Sequence, residues 1–265
     1  MSKFLRADFS IKRLAENSFK AIDDGAYDLK TSLNHDPASL KKAILSCSHA
    51  PLITEVKFSS PSQGRIRKTD MPTKIAATMV GSGAVAISVL TQPYLFDGSI
   101  EYLVEIRKAV SVPLLMKDIM VSRLQIDAAR KAGADCILLI KTLFDRDLAE
   151  ESMESLSEYA ARKGLHVLVE VHNDAEFAEV LKSKRDLVGI NNRNLDNLKV
   201  DIATTERLLS SHDKGKSTVI SESGIAEPKD IQYLRKAGAD AFLVGTSIME
   251  TGDIAHKVRE LYNSF

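Results

Sequence analysis

Eight short runs rich in Val, Ile and Leu recur along the chain, separated by longer segments with helical patterning. The runs are L-I-T-E-V-K (52–57), A-V-A-I-S-V-L (84–90), V-P-L-L-M-K (112–117), D-C-I-L-L-I-K (135–141), H-V-L-V-E-V (166–171), L-V-G-I-N (187–191), S-T-V-I-S-E (217–222) and D-A-F-L-V-G (240–245). Most are continuously apolar rather than alternating, which is the pattern of strands covered on both faces in a parallel sheet. Between them, Ser122 with Gln125 reads as a capping box and Asn173 with Glu176 as a variant of one. Ile100, Leu103 and Val104 fall at i, i+3, i+4, as do Phe177, Val180 and Leu181, and Pro228 suits a first helical turn. K-A-G-A-D at 131–135 returns at 236–240, with a weaker G-S-G-A-V at 81–85. Gly83, Gly133 and Gly238 lie 50 and 105 residues apart, near two and four units of about 25. The two longer copies read as a helix end, a glycine stop and a new strand.

This alternation predicts an α/β fold, a (β/α)8 barrel, behind an N-terminal helical extension with helical patterning at 9–21 and 38–46. No composition shift or Pro/Gly/Ser-rich linker divides the chain, so residues 1–265 read as one domain: extension 1–50, barrel 51–265.

Charge narrows the partners. Thirty-six basic and 36 acidic residues balance to zero, which argues against nucleic acid or an anionic membrane surface as partner. Cys47 and Cys136 are isolated and read as small buried hydrophobes of a reducing compartment. The opening M-S-K-F-L-R-A-D-F-S lacks a signal-peptide core, and no apolar run is long enough to span a membrane, so the expectation is a soluble cytoplasmic protein.

In such a barrel the active site lies at the carboxyl ends of the strands. Here the runs end on Glu55 and Lys57, Thr91, Lys117, Lys141, Glu170, Asn191, Glu222 and Gly245. One strand-end charge can simply turn to solvent. A whole ring of polar endings on apolar strands points to chemistry, because three lysines facing three glutamates supply both pairing and shifted pKa values. The turns S-G-I (223–225) and G-T-S (245–247) follow strands seven and eight, where many barrels hold a phosphate, and Gly224 and Gly245 let backbone N–H groups approach an anion. The loop S-S-P-S-Q-G (59–64) suits a lid. Histidines such as His172 lack partners at metal-ligand spacing, so no metal site is expected.

The motifs E-V-K-F-S-S-P-S (55–62), L-L-M-K-D (114–118), V-L-V-E-V (167–171), G-I-N-N-R-N-L (189–195), S-E-S-G-I (221–225) and L-V-G-T-S-I-M (243–249) together resemble the indole-3-glycerol phosphate synthase family. The resemblance spans essentially the whole barrel, with the motifs in family order. It implies a cofactor-free ring closure, with loss of CO₂ and water, acting on 1-(2-carboxyphenylamino)-1-deoxyribulose 5-phosphate. By resemblance Lys117 is the acid that protonates the substrate carbonyl, and Glu170, Lys57 and Glu55 assist dehydration with their acid and base roles left open. Asn191 and Glu222 match residues that hold the substrate hydroxyls, with Ser223 and Arg193 beside them. Phosphate is expected against Ser60, Gly224, Gly245 and Thr246, the aromatic ring against Phe96 and Leu195, and Lys57 can neutralise either the phosphate or the ring carboxylate. The implied partner is a phosphorylated small molecule, and the implied assembly a monomer or weak homo-oligomer.

Three departures stand out. Where the family reads L-T-E and then a lysine, this chain has Gln92 and Tyr94; Ile119 replaces the ring after K-D; and Lys141 stands where a small or apolar residue is usual, an extra ammonium expected to lower the pKa of both Lys117 and Lys141. A phosphoribosylanthranilate isomerase would need a cysteine ending strand one and an aspartate ending strand five, and these places hold Glu55 with Lys57, and Glu170. A barrel that has lost catalysis and serves as a scaffold is the other alternative, against which the complete strand-end set argues.

Overall fold

A computed structural model describes residues 10–60, 64–67 and 71–265. Eight parallel strands close a barrel in sequence order. They are β1 (Leu52–Val56), β2 (Ala86–Leu90), β3 (Leu114–Lys117), β4 (Cys136–Ile140), β5 (His166–Val171), β6 (Leu187–Asn191), β7 (Thr218–Glu222) and β8 (Ala241–Val244), with β8 pairing back on β1. Each matches an expected run to within two residues at either end.

Two apolar clusters explain why the runs read as continuous. Leu52, Val56, Met116, Val169, Val171, Val188 and Val219 face the surrounding helices. Their neighbours Ile53, Leu115, Leu168, Leu187 and Ile220 fill the barrel interior. Side chains alternate with period two along a strand, so the residues one step beyond the interior layer also point inward: Glu55, Lys117, Glu170, Gly189 and Glu222. The strands thus turn charged on their inner face at their carboxyl ends.

Helix signals behave as read. Ser122 and Gln125 form a capping box, and the Asn173 side chain accepts from the Glu176 N–H. Pro228 opens its helix, and Gly133 stops the preceding one at φ 83°.

The extension touches both ends of the barrel. Helix Ile11–Asp23 carries Leu14 into the same cluster as Ile119 and Ile140 at the carboxyl end. Helix Leu40–Leu45 lies at the opposite end, where Lys41 Nζ reaches Asp186 at 2.5 Å and the Lys216 carbonyl at 3.3 Å. Between these helices the Tyr27 hydroxyl donates to both oxygens of Asp118, at 3.0 and 2.9 Å.

The expected lid lies partly outside the described residues. Ser59–Ser60 pairs antiparallel with Gly64–Arg65, and residues 61–63 between them are not described. Residues 1–9, the opening segment together with the first position of the expected helix, also fall outside.

Candidate active site

The β3, β5 and β7 endings meet at one ammonium. Lys117 Nζ donates to Glu170 Oε2 at 2.7 Å and to Glu222 Oε2 at 2.9 Å. Burial alone would lower the pKa of Lys117, but the charges of Glu170, Glu222 and Glu55 outweigh it and hold the group above the usual lysine range. The ammonium is therefore charged at neutral pH, and held rather than free to swing.

The two carboxylates differ. Glu170 also receives the Asn191 Nδ2–H at 3.0 Å on Oε1, and His172 Nε2 lies 3.1 Å from that oxygen as an ion-pair neighbour, outside hydrogen-bond alignment. Burial opposes ionisation of Glu170, yet Lys117 and His172 together hold it below the ordinary carboxylate range. Glu222 has Lys117 alone: its Oε1 is buried without a partner and packs over Gly189. Burial pushes Glu222 up, Lys117 pulls it back and the Glu170 charge pushes it up again, to about 7. Two carboxylates on one lysine are thus pushed in opposite directions, Glu170 toward its ionised form and Glu222 toward its protonated one.

Backbone choices make this possible. Gly189 faces Glu170 and Asn191 faces Glu222 in the strand register, and a Cβ on Gly189 would meet Glu222 Oε1 at 2.1 Å. Only a bare Cα lets the carboxylate lie there. On β1, Lys57 Nζ stands 3.3 Å from Glu55 Oε1, while the Ser88 hydroxyl donates to Glu55 Oε2 at 3.2 Å.

These groups open into one cavity of about 130 Å³, lined by Glu55, Lys57, Lys117, Glu170, Asn191 and Glu222. Ser60, Ser223 and Arg193 add polar lining, and Phe96, Leu195, Leu14, Ile119 and Ile140 form an apolar side. A second, contiguous cavity shares Lys57, Arg193 and Ser223 with the first and continues along Gly224, Gly245 and Thr246. Ser223 and Gly224 both take left-handed φ, 69° and 84°, in a turn braced by Asn192 Nδ2 donating to the Ser223 carbonyl at 3.1 Å. The Ser247 hydroxyl donates to the Ile225 carbonyl at 2.9 Å and ties the β7 and β8 loops together. The residues given site roles by resemblance therefore all gather in two joined cavities.

Two expectations need correction. Lys141 is not a strand ending: it is the first residue of helix Lys141–Asp145, and its Nζ pairs outward with Asp145 and with Glu179 at 3.0 Å. The mouth holds two lysines against three glutamates, and the pKa values of Lys117 and Lys141 are raised rather than lowered, each by its own carboxylates after burial. Thr91 is buried and donates to Asp118 instead of lining the cavity.

His172, Ser88, Gly189 and Leu14 also border the cluster and were not expected there. Ser88 carried a signal, since it stands two residues from an inward-facing position on its own strand, and His172 stands two residues beyond Glu170, just past the end of β5. Asp118 was also missed as a buried polar group; burial pushes it up to about 6, against the bonds from Thr91, the Ile119 N–H and Tyr27. Among the described residues, no group of three or more His, Cys, Asp or Glu side chains is arranged to hold a metal ion.

Fold and site define a (β/α)8 barrel with an acid–base cluster buried in its mouth. Two solved structures share the barrel at low identity: a thiamine phosphate pyrophosphorylase from Pyrococcus furiosus (TM-score 0.61, 16% identity, 85% of this chain and 97% of that one) and an N-acetylmannosamine-6-phosphate 2-epimerase from Clostridium perfringens (0.59, 17%, 82% and 93%). The family model for indole-3-glycerol phosphate synthase matches residues 12–261. Curated indole-3-glycerol phosphate synthases from Campylobacter curvus (38% identity, 96% of this chain and 98% of the relative) and Azospirillum brasilense (42%, 79% and 78%) are similar over most of their length. The chain belongs to the indole-3-glycerol phosphate synthase family.

Proposed function

We propose that this chain catalyses the ring closure of 1-(2-carboxyphenylamino)-1-deoxyribulose 5-phosphate to indole-3-glycerol phosphate, as a carboxy-lyase of tryptophan biosynthesis. The observation that carries this reading is the charged Lys117 ammonium, clamped by Glu170 and Glu222 inside a cavity with one apolar side. As the ring carbon bearing the carboxylate attacks the sugar carbonyl, Lys117 gives a proton to the carbonyl oxygen, which becomes a hydroxyl. The C–CO₂ bond then breaks, its electron pair restores aromaticity, and CO₂ leaves. Loss of the new hydroxyl as water needs a proton delivered to it and one removed from the adjoining carbon.

Glu170, ionised and shared with His172, suits the base, and Glu222, exchanging near neutrality, suits a proton carrier. The Lys57 and Glu55 pair borders both cavities and suits the same step or anion neutralisation. Asn191, Ser223 and Arg193 are assigned to the substrate hydroxyls and Phe96 and Leu195 to its ring. Phosphate is assigned to Ser60, Gly224, Gly245 and Thr246, where the left-handed φ of Ser223, strained for a residue with a side chain, supports a specialised turn.

Residues 1–50 and 51–265 are taken as one domain, which Leu14 in the cavity wall and Tyr27 on Asp118 support. Among the described residues no helix is long and apolar enough to cross a membrane; we read the protein as a cytoplasmic monomer or weak homo-oligomer. The chemistry as written requires no cofactor. The test is turnover by purified protein after EDTA and dialysis, followed by indole fluorescence and CO₂ release. One CO₂ per indole supports the reading, and absence of turnover, or turnover restored only by a divalent ion, overturns it.

A further inference from the structure

Gln92 stands in the loop after β2, 1% exposed, with its side chain on the main cavity. Neither its Nε2 nor its Oε1 has a hydrogen-bond partner. Among the described residues it is the one buried polar side chain of that cavity left unpaired at both ends; Glu222 is unpaired at one oxygen only. A buried amide without partners is costly, and such groups persist where a ligand completes them. The loop that presents it is tightly built: the Gly98 N–H donates to the Gln92 carbonyl at 3.1 Å, and a Cβ on Gly98 would meet the Leu90 and Gln92 carbonyls at 2.7 and 2.8 Å. This fold-back brings Phe96 to the same cavity as Gln92.

Resting on the reaction proposed above, we propose that the Gln92 amide recognises the carboxyanilino end of the substrate: Nε2–H donates to the ring carboxylate, and Oε1 accepts from the adjacent amine N–H. A primary amide offers a donor and an acceptor side by side. The ortho carboxylate and amine offer an acceptor and a donor in the same arrangement. The phosphate offers acceptors alone, and its assigned turns lie on β7 and β8, across β1 from the β2 loop.

The test uses two unreactive ligands, the alcohol obtained by reducing the substrate carbonyl and the same compound without its ring carboxylate, titrated calorimetrically into wild type, Gln92→Met and Gln92→Glu. Gln92→Met keeps size and loses both hydrogen bonds. It should weaken the carboxylated ligand about 10- to 100-fold and the phenyl ligand far less. Gln92→Glu, which sets a carboxylate against a carboxylate, should widen that gap, and it serves alone if the Met variant does not fold. Equal weakening of both ligands, or none, overturns the assignment to Gln92. Wild type that binds neither ligand instead overturns the proposed reaction itself.

Discussion

Gly189 offers a perturbation whose size can be worked out beforehand. A methyl group added there would meet Glu222 Oε1 at 2.1 Å, against an ordinary contact beginning near 3.4 Å, while the next neighbour, Leu168, would sit at a tolerable 3.5 Å. Gly189→Ala therefore acts chiefly on one carboxylate, displacing it by more than 1 Å and stretching its 2.9 Å bond to Lys117. A misplacement of about 1 Å in a catalytic constellation costs on the order of 10² in rate. Overpacking a tight site costs about 1 to 3 kcal/mol of stability, so the variant should melt lower but stay folded. The assay is kcat from indole fluorescence at saturating substrate, for Gly189→Ala, Glu222→Ala and the double variant. If the glycine acts through Glu222, the double variant should be little worse than Glu222→Ala alone. Wild-type kcat in Gly189→Ala, or losses that simply add, would refute the reasoning.

Gly245→Asp sets a side chain 2.8 Å from Glu55 Oε1 at its Cβ and a charge beside the assigned phosphate; KM should rise steeply, with inorganic phosphate a competitive inhibitor of wild type, and unchanged kinetics would remove phosphate from this turn. His172 is pulled down by burial but pushed up to about 9 by Glu170 and Glu176, above its ordinary 6.5. Its contribution to stability is thus complete below about pH 6.5 and lost as pH rises through about 9. The melting temperature should fall over that window in wild type and fall less in His172→Asn; identical slopes would count against the ion pair. Lys141→Ala should leave kcat near the wild-type value, since its Nζ is engaged by Asp145 and Glu179 away from the cavity, and a large loss would return Lys141 to the site.

The barrel was legible because its physics is written locally. A strand covered on both faces must be apolar at every position, and Ile220 followed by Glu222 already announces an inner face that turns polar at its mouth. Lys141 misled because strand and helix meet without a break: Ile140 ends β4 and Lys141 starts a helix, so the same polar ending marks a different direction. Gly189 was hidden for another reason. Its role is to be absent at the point where Glu222 lies, and that closeness exists only across β6 and β7. Leu14 was legible as one residue of a helical stripe, but its place in the cavity wall depends on how the extension docks, which no local pattern encodes.

The proposed ring closure turns on Lys117. Its removal takes away an acid that acts as the ring closes, a transition-state contribution that should appear in kcat rather than in binding. General acid catalysis is typically worth about 10² to 10⁴ in rate, and a held ammonium belongs in the upper part of that range. The decisive measurement is single-turnover ring closure by Lys117→Ala, beside its dissociation constant for the reduced substrate analogue and a melting curve that establishes folding. The expected result is a folded variant that binds the analogue nearly as wild type does and closes the ring at least about 10³-fold more slowly. A folded variant that closes the ring at close to the wild-type rate, or loses only affinity, would contradict it.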